Sequence, residues 1–151
     1  MRRTHLFTVL LTAGVSSFSV AGKMAVRSPL QAQELTSQWG GVYTVAQAQR
    51  GEPLYAENCA ACHNWDLTGN EIGPALAGDA FSFRWDGRSL AELFDYTRAL
   101  MPQNSPGGLS GQQTADVLAF MLSTDGAPAG QSEFPSLTED LGEALYQRTG
   151  P

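Results

Sequence analysis

The segment that most constrains this chain runs from Cys59 to His63 and reads Cys-Ala-Ala-Cys-His. On one turn of helix, the i, i+3 and i, i+4 spacings place Cys59, Cys62 and His63 on the same face. Two thiols can then bond the two vinyl groups of a haem while the imidazole meets the iron, which is the arrangement of c-type haem attachment. The motif therefore predicts a fold that closes around one haem c, bound covalently through Cys59 and Cys62.

Two other kinds of site use a Cys-x-x-Cys pair. A structural zinc site needs four ligands, whereas the chain has two cysteines and only one further histidine, His5. A thioredoxin-like site places the pair at the start of a helix in a β-α-β pattern, and no convincing alternating strand pattern lies near the motif. Haem attachment is favoured, with zinc binding and dithiol chemistry as the alternatives.

The first 22 residues have the layout of a secretory signal peptide. Arg2 and Arg3 precede a mostly apolar run from Leu6 to Val20, which at about 15 residues is shorter than the roughly 20 needed to span a bilayer. We expect this segment, which contains His5, to be cleaved after export. The mature chain is then periplasmic, without stable insertion in the membrane.

Charge narrows the class of partner. The chain has nine basic and 15 acidic residues, and loss of Arg2 and Arg3 with the signal peptide leaves seven basic residues and a formal balance of −8. Lys23 is the only lysine. Nucleic acid binding is not expected at that charge, because it depends on basic side chains that neutralise phosphates.

The residues that lead into the motif, from Leu54 onward, repeat at the spacing of one helical face. Pro53 is tolerated only near the beginning of a helix, because it lacks an N–H and its ring clashes with the preceding turn. We therefore expect a first helix that begins at Gly51 or Glu52 and ends at the motif.

Two capping boxes predict further helices. Residues 89–92 read Ser-Leu-Ala-Glu and residues 110–113 read Ser-Gly-Gln-Gln, and each pattern opens a helix. The helix that begins after Ser89 should end at Met101-Pro102, because a residue before proline is disfavoured in helical conformation. The helix that begins after Ser110 should extend to about Ser123.

The remaining segments complete an all-α architecture of three to five short helices around one haem. Residues 64–88 are rich in glycine and are expected to be mainly loop, and residues 137–147 favour a short, weaker terminal helix. The length suits one small domain. We expect a signal peptide at 1–22, a polar leader and extension at 23–48, a haem-bearing domain at 49–125 and a C-terminal extension at 126–151.

The iron needs a sixth ligand or an open position, and methionine is the natural candidate once His5 is removed. Met24 lies in the polar leader, and Met121 lies in an apolar helix where a methionine commonly fills the core. Met101 ends a helix and precedes a loop rich in Gly and Pro, which can bring its thioether to the iron. Met101 is therefore the expected partner of His63.

These motifs together make the chain resemble the class I c-type cytochromes, in particular the small exported monohaem group often found with pyrroloquinoline-quinone dehydrogenases. The resemblance covers about residues 39 to 141. Its matching elements, besides the haem motif, are 39–44, 47–51, 54–55, 73–78, Met101-Pro102 and 118–122.

The resemblance implies roles for several side chains. The Pro74 carbonyl would accept the Nδ1 proton of His63, which leaves Nε2 for iron. Trp85, Arg84 and Arg88 would hold the haem propionates, since a buried carboxylate needs donors.

The resemblance also implies that Gly51 and Tyr55 pack the first helix against Val117 and Phe120 of the later helix. Glycine at position 51 would allow the close approach.

The expected function is electron transfer rather than catalysis. No Ser-His-Asp set, phosphate-binding loop or cluster of catalytic carboxylates is apparent in the sequence. We expect a periplasmic carrier that takes single electrons from a dehydrogenase and passes them to a terminal oxidase or another acceptor. The alternatives are a haem-based sensor or binder of small ligands with an open iron position, and a fixed cytochrome subunit of a quinoprotein dehydrogenase.

Overall fold

The computed structural model describes residues 37–150, and these residues form five α-helices and no β-strand. The all-α prediction is thus confirmed. The expected signal peptide and leader residues 23–36 lie outside the described residues. The helices are α1 (Val45–Asn58), α2 (Ala60–His63), α3 (Gly78–Trp85), α4 (Leu90–Leu100) and α5 (Gly111–Thr124), with short 3₁₀ helices at Gln38–Gly40 and Thr138–Leu141.

Helix α1 begins earlier than expected. The Thr44 side chain caps it by accepting the N–H of Gln47 at 3.1 Å, so the prediction of a start at Gly51 or Glu52 is wrong. Pro53 lies inside the helix on its exposed side. The carbonyl that the proline leaves unpaired belongs to another exposed residue, Gln49, where water can satisfy it.

Helices α1 and α5 form the centre of the molecule, and they approach each other closely at Gly51. A Cβ at this position would lie 1.8 Å from the Asp116 carbonyl oxygen and 3.0 Å from the Cβ of Phe120. One turn later, the rings of Tyr55 and Phe120 are 5.3 Å apart. The Arg50 guanidinium adds two hydrogen bonds to the Asp116 carboxylate, at 3.0 and 3.1 Å.

Both predicted capping boxes are present. The Ser89 hydroxyl accepts the N–H of Glu92, and the Glu92 carboxylate accepts the N–H of Ser89. Residues Ser110 and Gln113 repeat the exchange at the start of α5. Met101 has an extended backbone, with φ −118° and ψ 151°, and ends α4 as expected for a residue before proline.

Residues 64–88 are mainly loop but contain α3, which is not among the predicted helices. Phe81, Ser82 and Trp85 lie on its buried side, with the i, i+4 spacing of one helical face. Gly78 and Gly87 lie on either side of this short apolar pattern. Because glycine is a loop signal, the sequence around α3 predicts a loop.

The expected terminal helix at 137–147 is wrong. Only Thr138–Leu141 turns, as a 3₁₀ helix, and Gly142 then leaves helical geometry at φ 56°. Residues 144–148, here called the C-terminal strap, instead pair with residues 87–90, which connect α3 to the first residue of α4. The N–H of Leu90 donates to the Ala144 carbonyl, and the N–H of Tyr146 donates to the Arg88 carbonyl. Backbone pairing with a distant segment has replaced local helical bonds.

Across the part of the chain that the structure describes, every helix is too short or too polar to cross a bilayer.

Candidate haem-binding site

The Cys-x-x-Cys-His motif forms one helical turn directly after α1. Cys59 closes α1 by donating its N–H to the Tyr55 carbonyl at 2.8 Å. Its own carbonyl accepts the N–H groups of Cys62 and His63 at 3.1 and 3.0 Å. The three side chains of the motif are thereby presented from a single turn.

A cavity of about 540 Å³ lies beside this turn. Its lining includes the two cysteines, His63 and two methionines, together with apolar side chains from α3, α4 and α5 and polar groups. Residues from the motif turn, the following loop, α3, α4 and α5 contribute to this lining, among them Cys59, Cys62, His63, Pro74, Phe81, Arg84, Trp85, Tyr96, Met101 and Met121. Two thiols, one imidazole, thioethers and a mainly apolar lining are a donor set that fits a covalently bound haem.

His63 is buried and held in one orientation. Its Nδ1 lies 2.6 Å from the Pro74 carbonyl oxygen, and because a carbonyl can only accept, Nδ1 carries the proton. The Nε2 atom is left with a free lone pair, which is the form needed to bind a metal.

Gly73 is a site residue that the sequence interpretation did not single out. A Cβ on it would lie 2.7 Å from the Cys62 carbonyl oxygen and 3.0 Å from the His63 ring. Glycine therefore lets the loop that carries Pro74 close over the imidazole. The Gly73-Pro74 dipeptide, a turn signal, was the clue available in the sequence.

Asn64 organises the same loop from its other end. It has φ 61° and ψ 160°, a backbone conformation outside the left-handed helical region that few residues other than glycine adopt. Its side chain donates to the Gly69 carbonyl at 2.6 Å and accepts from the side chain of Asn70 at 2.9 Å. The Tyr55 hydroxyl donates to the Asn64 carbonyl at 2.7 Å and ties the loop to α1.

The Cys59 thiol does not have the environment of a nucleophilic cysteine in a dithiol redox site. Burial, followed by the nearby Cys62, raises the pKa of the Cys59 thiol to about 11. Nucleophilic cysteines in such sites have lowered pKa values, because the thiolate is the reactive form. The surroundings of Cys59 thus disfavour the thioredoxin-like alternative.

Two methionines line the cavity. Met101 arrives from the end of α4 and is half-buried, whereas Met121 projects from the middle of α5 and is buried.

The three residues expected to hold the haem propionates differ in whether they line the cavity. Arg84 and Trp85 line the cavity, whereas Arg88 is not part of its lining. The Arg88 guanidinium lies 4.1 Å from the centre of the Trp85 ring. Its Nη2 also lies 3.7 Å from Oε1 of the Glu92 carboxylate. Arg88 therefore contacts Trp85, a residue of the cavity lining, without being part of the lining itself.

Helix α4 and the loop after it add lining residues that were not singled out beforehand, namely Tyr96, Thr97, Gln103 and Asn104. The first two follow Leu93 at i+3 and i+4, so helical periodicity could have identified them. The Tyr96 ring stands edge-on to Trp85 at 5.8 Å. No local pattern marks the two loop residues.

Comparison with known proteins gives three findings. A family model described as cytochrome c oxidase, cbb3-type, subunit III matches residues 46–121. The cytochrome c subunit of a quinone alcohol dehydrogenase from Gluconobacter oxydans (strain 621H) is 40% identical over 86 residues. That match covers 50% of this chain and 18% of the relative, so the chain spans less than a fifth of that protein.

Among solved structures, a chain of the sulfane dehydrogenase SoxCD from Paracoccus pantotrophus is 25% identical, with a TM-score of 0.47. The similarity covers 85% of this chain and 68% of the other.

The family match covers half of the sequence and includes the whole Cys-x-x-Cys-His turn, and the relative is itself a cytochrome c subunit. The chain therefore belongs to the cytochrome c family, carries haem c at Cys59 and Cys62, and serves in haem-based electron transfer.

Proposed function

We propose that this protein is a periplasmic carrier of single electrons, without an enzymatic activity of its own, in which His63 and Met101 bind the haem iron. The observation that supports it most is the shared cavity, which brings the motif turn and Met101 together across about 40 residues of sequence. Bound haem c supplies reversible one-electron exchange at its iron, with no bond made or broken in a substrate.

The residues of the chain would prepare this exchange. The Pro74 carbonyl orients the His63 ring, and a thioether from Met101 raises the reduction potential relative to harder ligands. Apolar side chains exclude water from the iron, which also favours the reduced state. We propose Arg84 and Trp85 as donors to the propionates, with Arg88 acting through Trp85.

Paired methionine variants test the ligand assignment. Met101→Leu and Met121→Leu each replace a cavity thioether with a side chain of similar volume. We expect the far-red methionine-to-ferric-haem band to disappear, and the potential to fall, only in Met101→Leu. Loss of the band only in Met121→Leu would transfer the role to Met121. Absence of the band from the unaltered protein would favour the open-iron binder of small ligands.

The partner is proposed to be a dehydrogenase as donor, with an oxidase or another acceptor downstream. The relative from Gluconobacter oxydans belongs to a quinone alcohol dehydrogenase, which supports a donor of that class. A carrier that alternates between two partners needs a small, transient interface, whereas a fixed subunit needs a stable one.

Purification of the exported protein at low and high salt distinguishes these two arrangements. We expect the haem protein to separate from any dehydrogenase in high salt, because exposed charges at a transient interface are screened. Co-purification in a constant ratio at both salt concentrations would instead identify a fixed subunit.

We propose that residues 1–22 direct export and are then cleaved, which leaves a polar leader, the haem-bearing domain at 49–125 and the C-terminal extension. Mass spectrometry of the periplasmic protein tests this proposal. The mass should equal that of the shortened chain plus one haem. A full-length mass in the membrane fraction would contradict it.

A further inference from the structure

The haem-facing side of α3 is supported by residues far away in sequence. Helix α3 has eight residues, and Ala77 at its N-cap provides no side-chain hydrogen bond. A helix of two turns is marginal on its own in water, so its position depends on tertiary contacts. Yet Phe81, Arg84 and Trp85 of α3 all line the haem cavity.

Tyr146 of the C-terminal strap makes the central contacts with α3. It is 1% exposed, and its ring stands edge-on to Phe81 at 5.5 Å. Its hydroxyl donates to Asp125 Oδ2 and lies 3.0 Å from the Ser82 hydroxyl. Because the phenol has one proton, Ser82 is the donor in the second bond.

Asp125 joins this contact to the beginning of α3. Its second oxygen, Oδ1, accepts the N–H of Gly78 at 2.6 Å. One carboxylate therefore serves both Tyr146 and the first residue of α3. Burial first, and the bond to Asp125 second, raise the pKa of Tyr146 above the ordinary value, so its hydroxyl stays a donor at neutral pH.

The backbone of the strap secures the other end of α3. The N–H of Gly87 donates to the Tyr146 carbonyl at 2.9 Å, and the N–H of Arg148 donates to the Asp86 carboxylate at 2.9 Å. No residue of the strap lines the cavity itself. The strap therefore acts on the haem through the elements that it contacts, which are α3, the residues that follow α3 and Asp125 at the end of α5.

We propose that Tyr146 is a positioning residue for the haem, which acts with Asp125 to hold α3, and with it Phe81 and Trp85, against the cavity. When this support is lost, α3 separates from the strap more often and water reaches the cavity. Water near the haem stabilises the ferric charge, which lowers the reduction potential. This proposal requires the haem in the cavity and does not depend on the identity of the redox partner.

Tyr146→Phe tests the proposal because it removes the hydroxyl and keeps the ring. Tyr43→Phe is the matched control: Tyr43 is equally buried, its hydroxyl donates to the Ala127 carbonyl at 2.6 Å, and it does not line the cavity. Tyr146→Phe removes two hydrogen bonds of the hydroxyl, one of them to a carboxylate, whereas Tyr43→Phe removes one to a carbonyl. Tyr43→Phe should therefore lose less stability, and it shows what loss of a buried hydroxyl away from α3 does.

The readouts are the reduction potential of the holoprotein and amide hydrogen exchange of residues 78–85. We expect Tyr146→Phe to lower the potential and to speed the exchange of α3 about tenfold, the change that loss of one charged-partner hydrogen bond produces. Tyr43→Phe should change neither. Equal potentials and equal α3 exchange in the two variants would overturn the proposal.

Asp125→Asn is the second variant if Tyr146→Phe fails to yield holoprotein. It leaves one oxygen for two donors, so either Tyr146 or Gly78 loses its acceptor. Its readout is α3 exchange alone, because removal of a negative charge shifts the potential by itself. Exchange at the rate of the unaltered protein would reject the proposal. The methionine variants test the shuttle function separately, so failure of either proposal can be recognised.

Discussion

At two positions the backbone requires glycine, because a Cβ there would clash with a neighbouring backbone atom. Gly51 lets α1 and α5 meet, and Gly73 lets the loop that carries Pro74 lie against His63. In both cases the nearest obstacle to a Cβ is a backbone carbonyl oxygen. Backbone atoms cannot rotate away as a side chain can, so these contacts tolerate no larger residue without movement of a whole segment.

Gly51→Ala should strongly destabilise the protein. The new methyl group would meet the Asp116 carbonyl at 1.8 Å, and relief of the clash requires α1 and α5 to separate. We expect a loss of about 3 kcal/mol in the free energy of unfolding, measured by denaturant titration of the holoprotein.

The control for Gly51→Ala is Glu52→Ala, at the next and exposed position of α1. Its effect should stay within about 0.5 kcal/mol. Equal stability of the two variants would contradict the close approach of the helices.

At the scale of elements, the helices differ in how clearly the local sequence predicts them. Helices α4 and α5 carry their start signals within four residues, as Ser89 with Glu92 and Ser110 with Gln113, and both were predicted. Helix α1 carries a contrary signal, Pro53, and forms nevertheless because its other side packs against α5. Tertiary burial outweighs local preference in that helix.

Pro53→Ala should therefore stabilise the protein. Proline costs about 3 kcal/mol relative to alanine inside a helix, and part of this is offset because proline restricts the unfolded chain. We expect a net gain of about 2 kcal/mol in the free energy of unfolding, measured by denaturant titration.

Glu52→Ala serves as the control again, because it changes an exposed neighbour without altering the backbone. If Pro53→Ala lowers stability, then the bend that proline introduces is required for packing, and the expectation of a purely local cost is wrong.

At the scale of the whole molecule, the helices and the extended segments at both ends enclose one core. Val42 and Tyr43 before α1, and Phe134, Ala144 and Tyr146 after α5, are buried with the residues of the central helices. The side chain of Gln38 and the backbone of Gln147 exchange two hydrogen bonds. The terminal segments of the described chain are therefore part of the folded unit.

High pH should destabilise this core. Burial raises the pKa of Tyr43 and Tyr146, so the folded protein keeps phenol protons that the unfolded chain loses near the ordinary pKa of about 10. The stability from neutral burial is complete below that pH and decreases as pH rises above it. Each group contributes a slope of up to about 1.4 kcal/mol per pH unit.

Denaturant titrations at pH 8, 10 and 11 check this expectation. The free energy of unfolding should fall between pH 10 and 11, and the fall should be shallower in Tyr43→Phe and in Tyr146→Phe. A slope identical in all three proteins would show that other groups govern the alkaline response.

The haem site shows how far prediction from sequence extends. Cys59, Cys62, His63 and Pro74 were predicted together, because their chemistry is encoded in a short motif and its family pattern. Gly73 and Tyr96 have weak local signals, and Gln103 and Asn104 have none. Which residues line a cavity is decided by distances between segments, and a single sequence does not encode those distances in any local pattern.

The sequence by itself determined the cofactor, its covalent attachment and two of the main helices, because each depends on groups within about five residues of one another. Only the tertiary structure decided that α1 continues through Pro53, that α3 exists and that the C-terminal strap pairs as extended chain. Each of these depends on burial or hydrogen bonding against residues distant along the chain. That energy of contact between segments outweighs local preferences such as those of Pro53 and of residues 137–147.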